Sequence, residues 1–293
     1  MRPERTTIEL GFGPVSYLTW HPDAARSAPP VVLLHGGGLD NAWLSWDGLG
    51  SALANAGHRV IAPDHPGYGE SPLPSWPATQ ERLVAYVGEF LDALGLDEVT
   101  LGGLSLGGGM ALGCALDHPD RVRGLMLFGS YGLADHQFGG LLACPAQWLS
   151  WATLRTGLMR RSMDAYARNR RLLTSSLRGI IRNPASLTPD LVDAVVAEAA
   201  RPNAFEAFEQ WQRDQILPGR LRTNYSGRLR EIRTPTLVVH GTHDSGVPVK
   251  RARGAARALP GATLLVVRGA GHWVQRDRPD RVIPAVTEFL RRV

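Results

Sequence analysis

Lysine is nearly missing from this chain. Lys250 is the only one among 32 basic residues, so the net charge of +5 rests on arginine. Arginine spread along a chain rich in Ala, Gly and Pro reflects genome composition, whereas nucleic-acid binding calls for clustered basic faces interleaved with aromatics. No nucleic-acid partner is expected. Cysteine is scarce as well: Cys114 and Cys144 are too few for a disulfide framework, and both read as buried thiols. No apolar run approaches the ~18 residues of a membrane span, and the opening MRPERTTIELG lacks the apolar core of a signal peptide. A cytoplasmic protein without a membrane partner is the expectation. Metal-ligand spacings such as HEXXH are absent, and no Lys-Ser/Thr follows the glycines at 36–38, as a phosphate-cradling loop would require. Neither a metal nor a cofactor is expected.

What remains is ordinary globular composition, with 44% hydrophobic and 20% charged residues over 293 positions. That length suits one large domain, or a core carrying an insertion. Thr6 to Trp20 alternates enough for one or two strands around Gly11 and Gly13, and 21–30 (HPDAARSAPP) reads as a turn. Buried-strand runs follow at Val31–Leu34, Arg59–Ala62, from Val99 and at Val122–Gly129. A helix between them places Leu83, Val87, Phe90, Leu91 and Leu94 on one face and stops at Gly95. Strands alternating with helices predict a mostly parallel sheet covered by helices on both faces. The alternation stops near Tyr131. Residues 131–234 are helical in character and read as an inserted helical cap. The core resumes with a strand at Pro235–Gly241, a helix at Lys250–Leu259, a strand at Ala262–Arg268 and a helix at Pro279–Val293. The expected division is therefore 1–130 with 235–293 as core, and 131–234 as cap.

The stretch with the most chemical content is VTLGGLSLGGG, Val99 to Gly109, where an apolar run ends in Gly-Leu-Ser-Leu-Gly and passes into a helical pattern. A serine on so sharp a strand-to-helix turn projects its hydroxyl above the sheet, and only very small neighbours fit beneath it. Gly103 and Gly107 are those neighbours. A serine hydroxyl is a poor nucleophile at neutral pH and needs a base, which in turn needs a carboxylate to orient it. His272, in a Gly-His pair just past the last strand, is the candidate base. His35 and His65 read as structural loop residues, and Asp64 as a loop-shaping one.

These motifs together resemble the α/β-hydrolase fold with a cap. The resemblance rests on HGGG at 35–38, Gly-Leu-Ser-Leu-Gly-Gly at 103–108, Gly-Thr-His-Asp at 241–244 and Gly-His-Trp at 271–273, each after a predicted strand. It implies a triad of Ser105, His272 and Asp244, with Asp135 as the alternative acid. It also implies an oxyanion hole from the backbone N–H groups of Gly37 and Leu106, with Gly38 and Trp273 lining the substrate pocket. The Gly-His-Trp run and the HGGG loop are similar to those of carbon–carbon hydrolases that open aromatic ring-cleavage products. Those enzymes commonly carry Asn before the serine and Pro-Gly after the HGGG loop, where this chain has Leu104 and Leu39-Asp40. On that departure the first expectation is hydrolysis of a small-molecule carboxylic ester. Carbon–carbon hydrolysis of a vinylogous diketone is the alternative, and a catalytically idle ligand-binding homologue is a second. A homo-oligomer stays open.

One further pattern lies in the cap segment. Arginines at 155, 160, 161, 168, 170, 171, 178 and 182 face a single acid, Asp164. At helical spacing they form a basic stripe, read as a solvated face unless one arginine turns inward to a substrate carboxylate.

Overall fold

In the computed structural model, residues 2–24, 28–137 and 143–293 are described. Parts of the turn at 21–30 and of the segment 131–234 therefore lie outside the described residues. The first strands are β1 (Glu4–Leu10), β2 (Gly13–Trp20), β3 (Val31–Leu34) and β4 (Val60–Pro63), followed by β5 (Val99–Leu104) and β6 (Val122–Phe128). After a long helical stretch come β7 (Thr236–Gly241) and β8 (Ala262–Val267). They form one eight-stranded sheet in the order β1-β2-β4-β3-β5-β6-β7-β8. β1 and β2 pair antiparallel, β2 meets β4 antiparallel, and every pairing from β4 to β8 is parallel.

The helices within the sheet segments are α1 (Ala42–Asn55), α2 (Gln80–Ala93) and α3 (Leu106–Asp117), then α9 (Val249–Ala258), the short α10 (Val274–Asp277) and α11 (Pro279–Leu290). Successive strand residues point to opposite faces, and the core divides accordingly. Val32, Leu34, Ile61 and Leu101 join α2, α3 and α9 on one face. Val31, Leu33, Val60 and Ala62 join α1 and α11 on the other. With both faces covered, the central strands can be apolar throughout, and β3 and β4 are buried at every position.

Helix α1 has no counterpart in the sequence expectations. Its apolar residues surround the axis rather than forming a stripe, and two glycines weaken its helical signal. A local cue does exist: Asn41 caps it by accepting from the Leu44 N–H at 2.8 Å. Between β6 and β7 lie α4 (Ala143–Arg155), α5 (Leu158–Ala167), α6 (Arg170–Ile180), α7 (Pro189–Ala199) and α8 (Glu206–Gln215). Among the described residues this stretch holds no strand, only an isolated bridge between Ile216 and Leu221. One expectation fails here. Cys114 is buried as anticipated, but Cys144 is exposed, because α4 turns little more than Gln147 and Leu154 inward.

Candidate active site

Ser105 stands between β5 and α3 with φ 51° and ψ −112°, one of only two non-glycine residues at positive φ among those described. Such backbone is strained for an L-residue and persists only where its surroundings hold it. Here they do: the Ser105 N–H donates to Phe128 O, and its carbonyl accepts from Tyr131 N–H, both at 2.9 Å. The turn closes tightly enough to exclude any side chain below it. A Cβ on Gly103 would strike the backbone of Gly107, and one on Gly107 would strike the carbonyl of Leu34.

Asp244 follows β7 and His272 follows β8, so adjacent parallel strands deliver both to the same end of the sheet. The Asp244 side chain is 1% exposed. Its Oδ1 accepts from Gly246 and Val247 N–H, both at 2.8 Å, and its Oδ2 lies 2.8 Å from His272 Nδ1. Burial alone would raise this carboxyl, but the His272 contact and these donors outweigh it and hold the group below its usual range. A carboxylate can only accept, so Nδ1 is the His272 nitrogen that donates to Asp244. A second histidine, His240, packs beside Asp244 at 3.3 Å, and burial pushes its imidazole below the usual histidine range. Gly129 makes room for the pair, since a Cβ there would sit 3.1 Å from both Asp244 Oδ2 and His272 Nδ1.

The HGGG loop is held from below. His35 stacks on His65 with ring centroids 3.9 Å apart. His35 Nδ1 donates to Gly36 O at 2.8 Å, and its Nε2 accepts from His65 N–H at 2.9 Å. Burial drives His35 down to about 3, consistent with this neutral tautomer. Asp40 accepts from Gly36 N–H, Asn41 N–H and the Ser45 hydroxyl. Burial nevertheless dominates and pushes its carboxyl up to about 7. Asp64 is loop-shaping, as expected, accepting from Arg5 and from the N–H groups of Ala42 and Glu70. Asp135 is engaged elsewhere, accepting from the Asn224 amide at 2.8 Å.

Two cavities flank Ser105, and Gly37, Ser105 and His272 line both. The first, of about 240 Å³, is also bounded by Leu106, Phe208, Trp211, Gln212 and Arg251. The second, of about 250 Å³, is bounded by Gly38, Leu39, Leu177, Ile180, Val195 and Trp273. Helices inserted between β6 and β7 thus supply walls to both. None of the arginines between 155 and 182 lines either cavity. Most of that stripe is exposed, and Arg160 pairs with Glu206. The inward arginine is instead Arg251, on α9 of the sheet portion. Its only sequence cue was a place seven residues after Asp244 in an amphipathic helix. Asp277 also went unnoticed: fully buried, it accepts from Gly271 N–H at 2.6 Å and from Arg182 and Asn183 N–H, tying the His272 loop to the inserted helices.

Residues 29–279 match the family described as alpha/beta hydrolase fold, and the chain belongs to that family. The 2-hydroxymuconate semialdehyde hydrolase of Pseudomonas putida is 32% identical over 264 residues, 89% of this chain and 86% of that protein. Among solved structures, the meta-cleavage product hydrolase of Pseudomonas fluorescens IP01 aligns with a TM-score of 0.79 at 23% identity, covering 98% of this chain and 97% of that one. The carboxylesterase CesB of Bacillus subtilis aligns with a TM-score of 0.76 at 22% identity, covering 99% and 92%. Solved structures of the same fold thus include a protein titled a meta-cleavage product hydrolase and one titled a carboxylesterase, while a relative in sequence is named a 2-hydroxymuconate semialdehyde hydrolase. The protein is a hydrolase. No helix among the described residues is long and apolar enough to cross a membrane.

Proposed function

We propose that the protein is a serine-dependent carbon–carbon hydrolase acting on a 2-hydroxy-6-oxo-dienoate, a vinylogous diketone in its keto form. The whole-length similarity to a 2-hydroxymuconate semialdehyde hydrolase carries this reading, in preference to the carboxylic-ester hydrolysis favoured from sequence alone. Of Leu104 and Leu39-Asp40, the departures that argued for an ester, Leu39 borders the second cavity, and Leu104 and Asp40 have structural occupations. Leu104 is a fully buried core residue, and Asp40 holds the Gly36 N–H in the loop beside the nucleophile.

In this reading Ser105 is the nucleophile, His272 the base and Asp244 the residue that orients it. The N–H groups of Gly37 and Leu106 receive the oxyanion, Gly38 and Trp273 border the substrate, and residues 131–234 form a cap over the site. A carbon–carbon bond breaks by acyl transfer only if the departing electron pair has a sink. Moving the C2 hydroxyl proton to C5 supplies one. Ser105 Oγ then adds to the C6 carbonyl as His272 Nε2 takes its proton. The C5–C6 electrons drain through the C3–C4 double bond onto the C2 oxygen, leaving an acyl-serine that water hydrolyses. The products are a carboxylic acid and a 2-hydroxydienoate. Incubating the purified protein with 2-hydroxy-6-oxo-6-phenylhexa-2,4-dienoate tests this: the chromophore should decay with release of benzoate and 2-hydroxypenta-2,4-dienoate in equal amounts. A stable chromophore would refute it.

A further inference from the structure

The end of α6 lies across the two loops that carry Asp244 and His272. A helix leaves its last carbonyls without intrahelical donors, and here the residues that follow cannot supply them. Pro184 has no N–H to offer Ile180, and the Asn183 N–H that would answer Gly179 turns to Asp277 instead. Residues beyond β7 and β8 fill both places. The Trp273 N–H donates to Ile180 O at 3.1 Å, and the Ser245 hydroxyl donates to Gly179 O at 3.2 Å. Ser245 directly follows Asp244, and Trp273 directly follows His272. One short run of inserted backbone, 179–183, thus holds the neighbour of each.

Asp277 closes the arrangement from the other side. Fully buried, it accepts through Oδ2 from Gly271 N–H at 2.6 Å and Arg182 N–H at 3.0 Å, and through Oδ1 from Asn183 N–H at 2.6 Å. His272 therefore stands between two residues, Gly271 and Trp273, whose N–H groups are both anchored at this junction. The fit is close: a Cβ on Gly271 would lie 2.3 Å from Ile180 O. An amide in place of the Asp277 carboxylate would turn N–H toward N–H at one of its two atoms and leave a buried donor unpaired. General-base chemistry is sensitive to such details, because a misplacement of about 1 Å costs on the order of a hundred-fold in rate.

We infer that Asp277 is a positioning residue, which with the 179–183 backbone sets where the His272 imidazole stands, so that the inserted helices contribute to the reactivity of Ser105 as well as to the walls of its cavities. The inference rests on the proposed roles of Ser105 as nucleophile and His272 as base. It is indifferent to whether the bond cleaved is an ester or a carbon–carbon bond.

Diethyl 4-nitrophenyl phosphate provides the test, since so small a reagent draws on the nucleophile and base and little on the cavity walls. Ser105 Oγ adds to phosphorus, its proton passes to His272, and one 4-nitrophenolate leaves for each serine phosphorylated. The amplitude of release counts competent sites, and the rate constant reports how well they are set. Asp277→Asn should keep an amplitude near that of the wild type and slow the rate constant by roughly ten- to a hundred-fold. Gly271→Ala wedges the same junction apart while every hydrogen-bonding group is kept, and should slow it likewise. In both variants the proton resonance of the His272 Nδ1–H bonded to Asp244 should move or broaden. Wild-type rate constants, with only the amplitude or the urea midpoint lowered, would overturn the inference and leave Asp277 as a fastening of the fold. His272→Ala separates this result from the reading beneath it. Release at the wild-type rate in His272→Ala refutes His272 as the base, whereas release lost in His272→Ala but unaltered in Asp277→Asn and Gly271→Ala refutes the positioning role alone.

Discussion

Asp244 and His272 meet through Oδ2 and Nδ1 at 2.8 Å, and the other oxygen of the carboxylate is taken up by Gly246 and Val247 N–H. The carboxylate is therefore fixed from one side by backbone and fixes the imidazole on the other. Asp244→Asn keeps the volume but offers the imidazole an amide that can hold the wrong tautomer. By analogy with triads of this kind, turnover should fall by about 10³–10⁴-fold with the fold intact. The carboxyl is held below its unfolded value of 3.8, so its stabilisation is complete above that pH and is lost as pH falls through the native value. The stability gap between wild type and Asp244→Asn, read by urea unfolding, should shrink below about pH 4.

The HGGG loop, whose Gly37 N–H is the proposed oxyanion donor, is covered by an aromatic ring. A Cβ on Gly37 would lie 2.5 Å from the Phe208 ring, so Gly37→Ala must displace either Phe208 or the loop. Disturbing one donor of an oxyanion hole costs about 10²–10³-fold in kcat. The double variant Gly37→Ala, Phe208→Ala should recover part of that loss in a steady-state assay, because the obstructing ring is gone.

Asp40 gives the protein a distinct pH signature. Its carboxyl ionises near 3.8 when unfolded and near 7 when folded, so the native state binds the proton more tightly between these values. Stability contributed by the protonated form is present below that window and lost as pH rises through it. The loss amounts to roughly 4 kcal/mol in all, of which about 2–3 kcal/mol falls between pH 5 and pH 8. Asp40→Asn should flatten the dependence. Unfolding free energies measured from pH 5 to pH 8 on both proteins provide the comparison.

At Ser105 the strained backbone separates stability from activity. Ser105→Ala and Ser105→Gly should both abolish turnover. Glycine alone relieves φ 51°, so Ser105→Gly should be the more stable of the two by about 1 kcal/mol in denaturant titrations.

The sheet and its central motifs were legible because their signals are local. β3 is an apolar run leading into His35 and three glycines, β5 runs through Gly102 and Gly103 into the turn at Ser105, and Gly95, at φ +63°, stops α2 where the sequence marks its end. The registers of Asp244 and His272 after consecutive strands followed from order alone. The character of the two cavities did not. Arg251 reaches the site only because α9 packs beside β7 and Tyr131, and an arginine in an arginine-rich chain gives no separate cue. The stripe from Arg155 to Arg182 carried the stronger pattern and faces solvent. Cys144 escaped for the same reason, since burial of α4 depends on what packs against it rather than on its composition.

The central claim is that Ser105 serves carbon–carbon hydrolysis rather than ester hydrolysis. Its most direct measurement is the ratio of kcat/KM for 2-hydroxy-6-oxo-6-phenylhexa-2,4-dienoate to that for 4-nitrophenyl butanoate, on the same wild-type preparation with Ser105→Ala as the blank. The account predicts a ratio above roughly ten, with both activities vanishing in the variant. Ester turnover that depends on Ser105, with no Ser105-dependent loss of the dienoate, would contradict it.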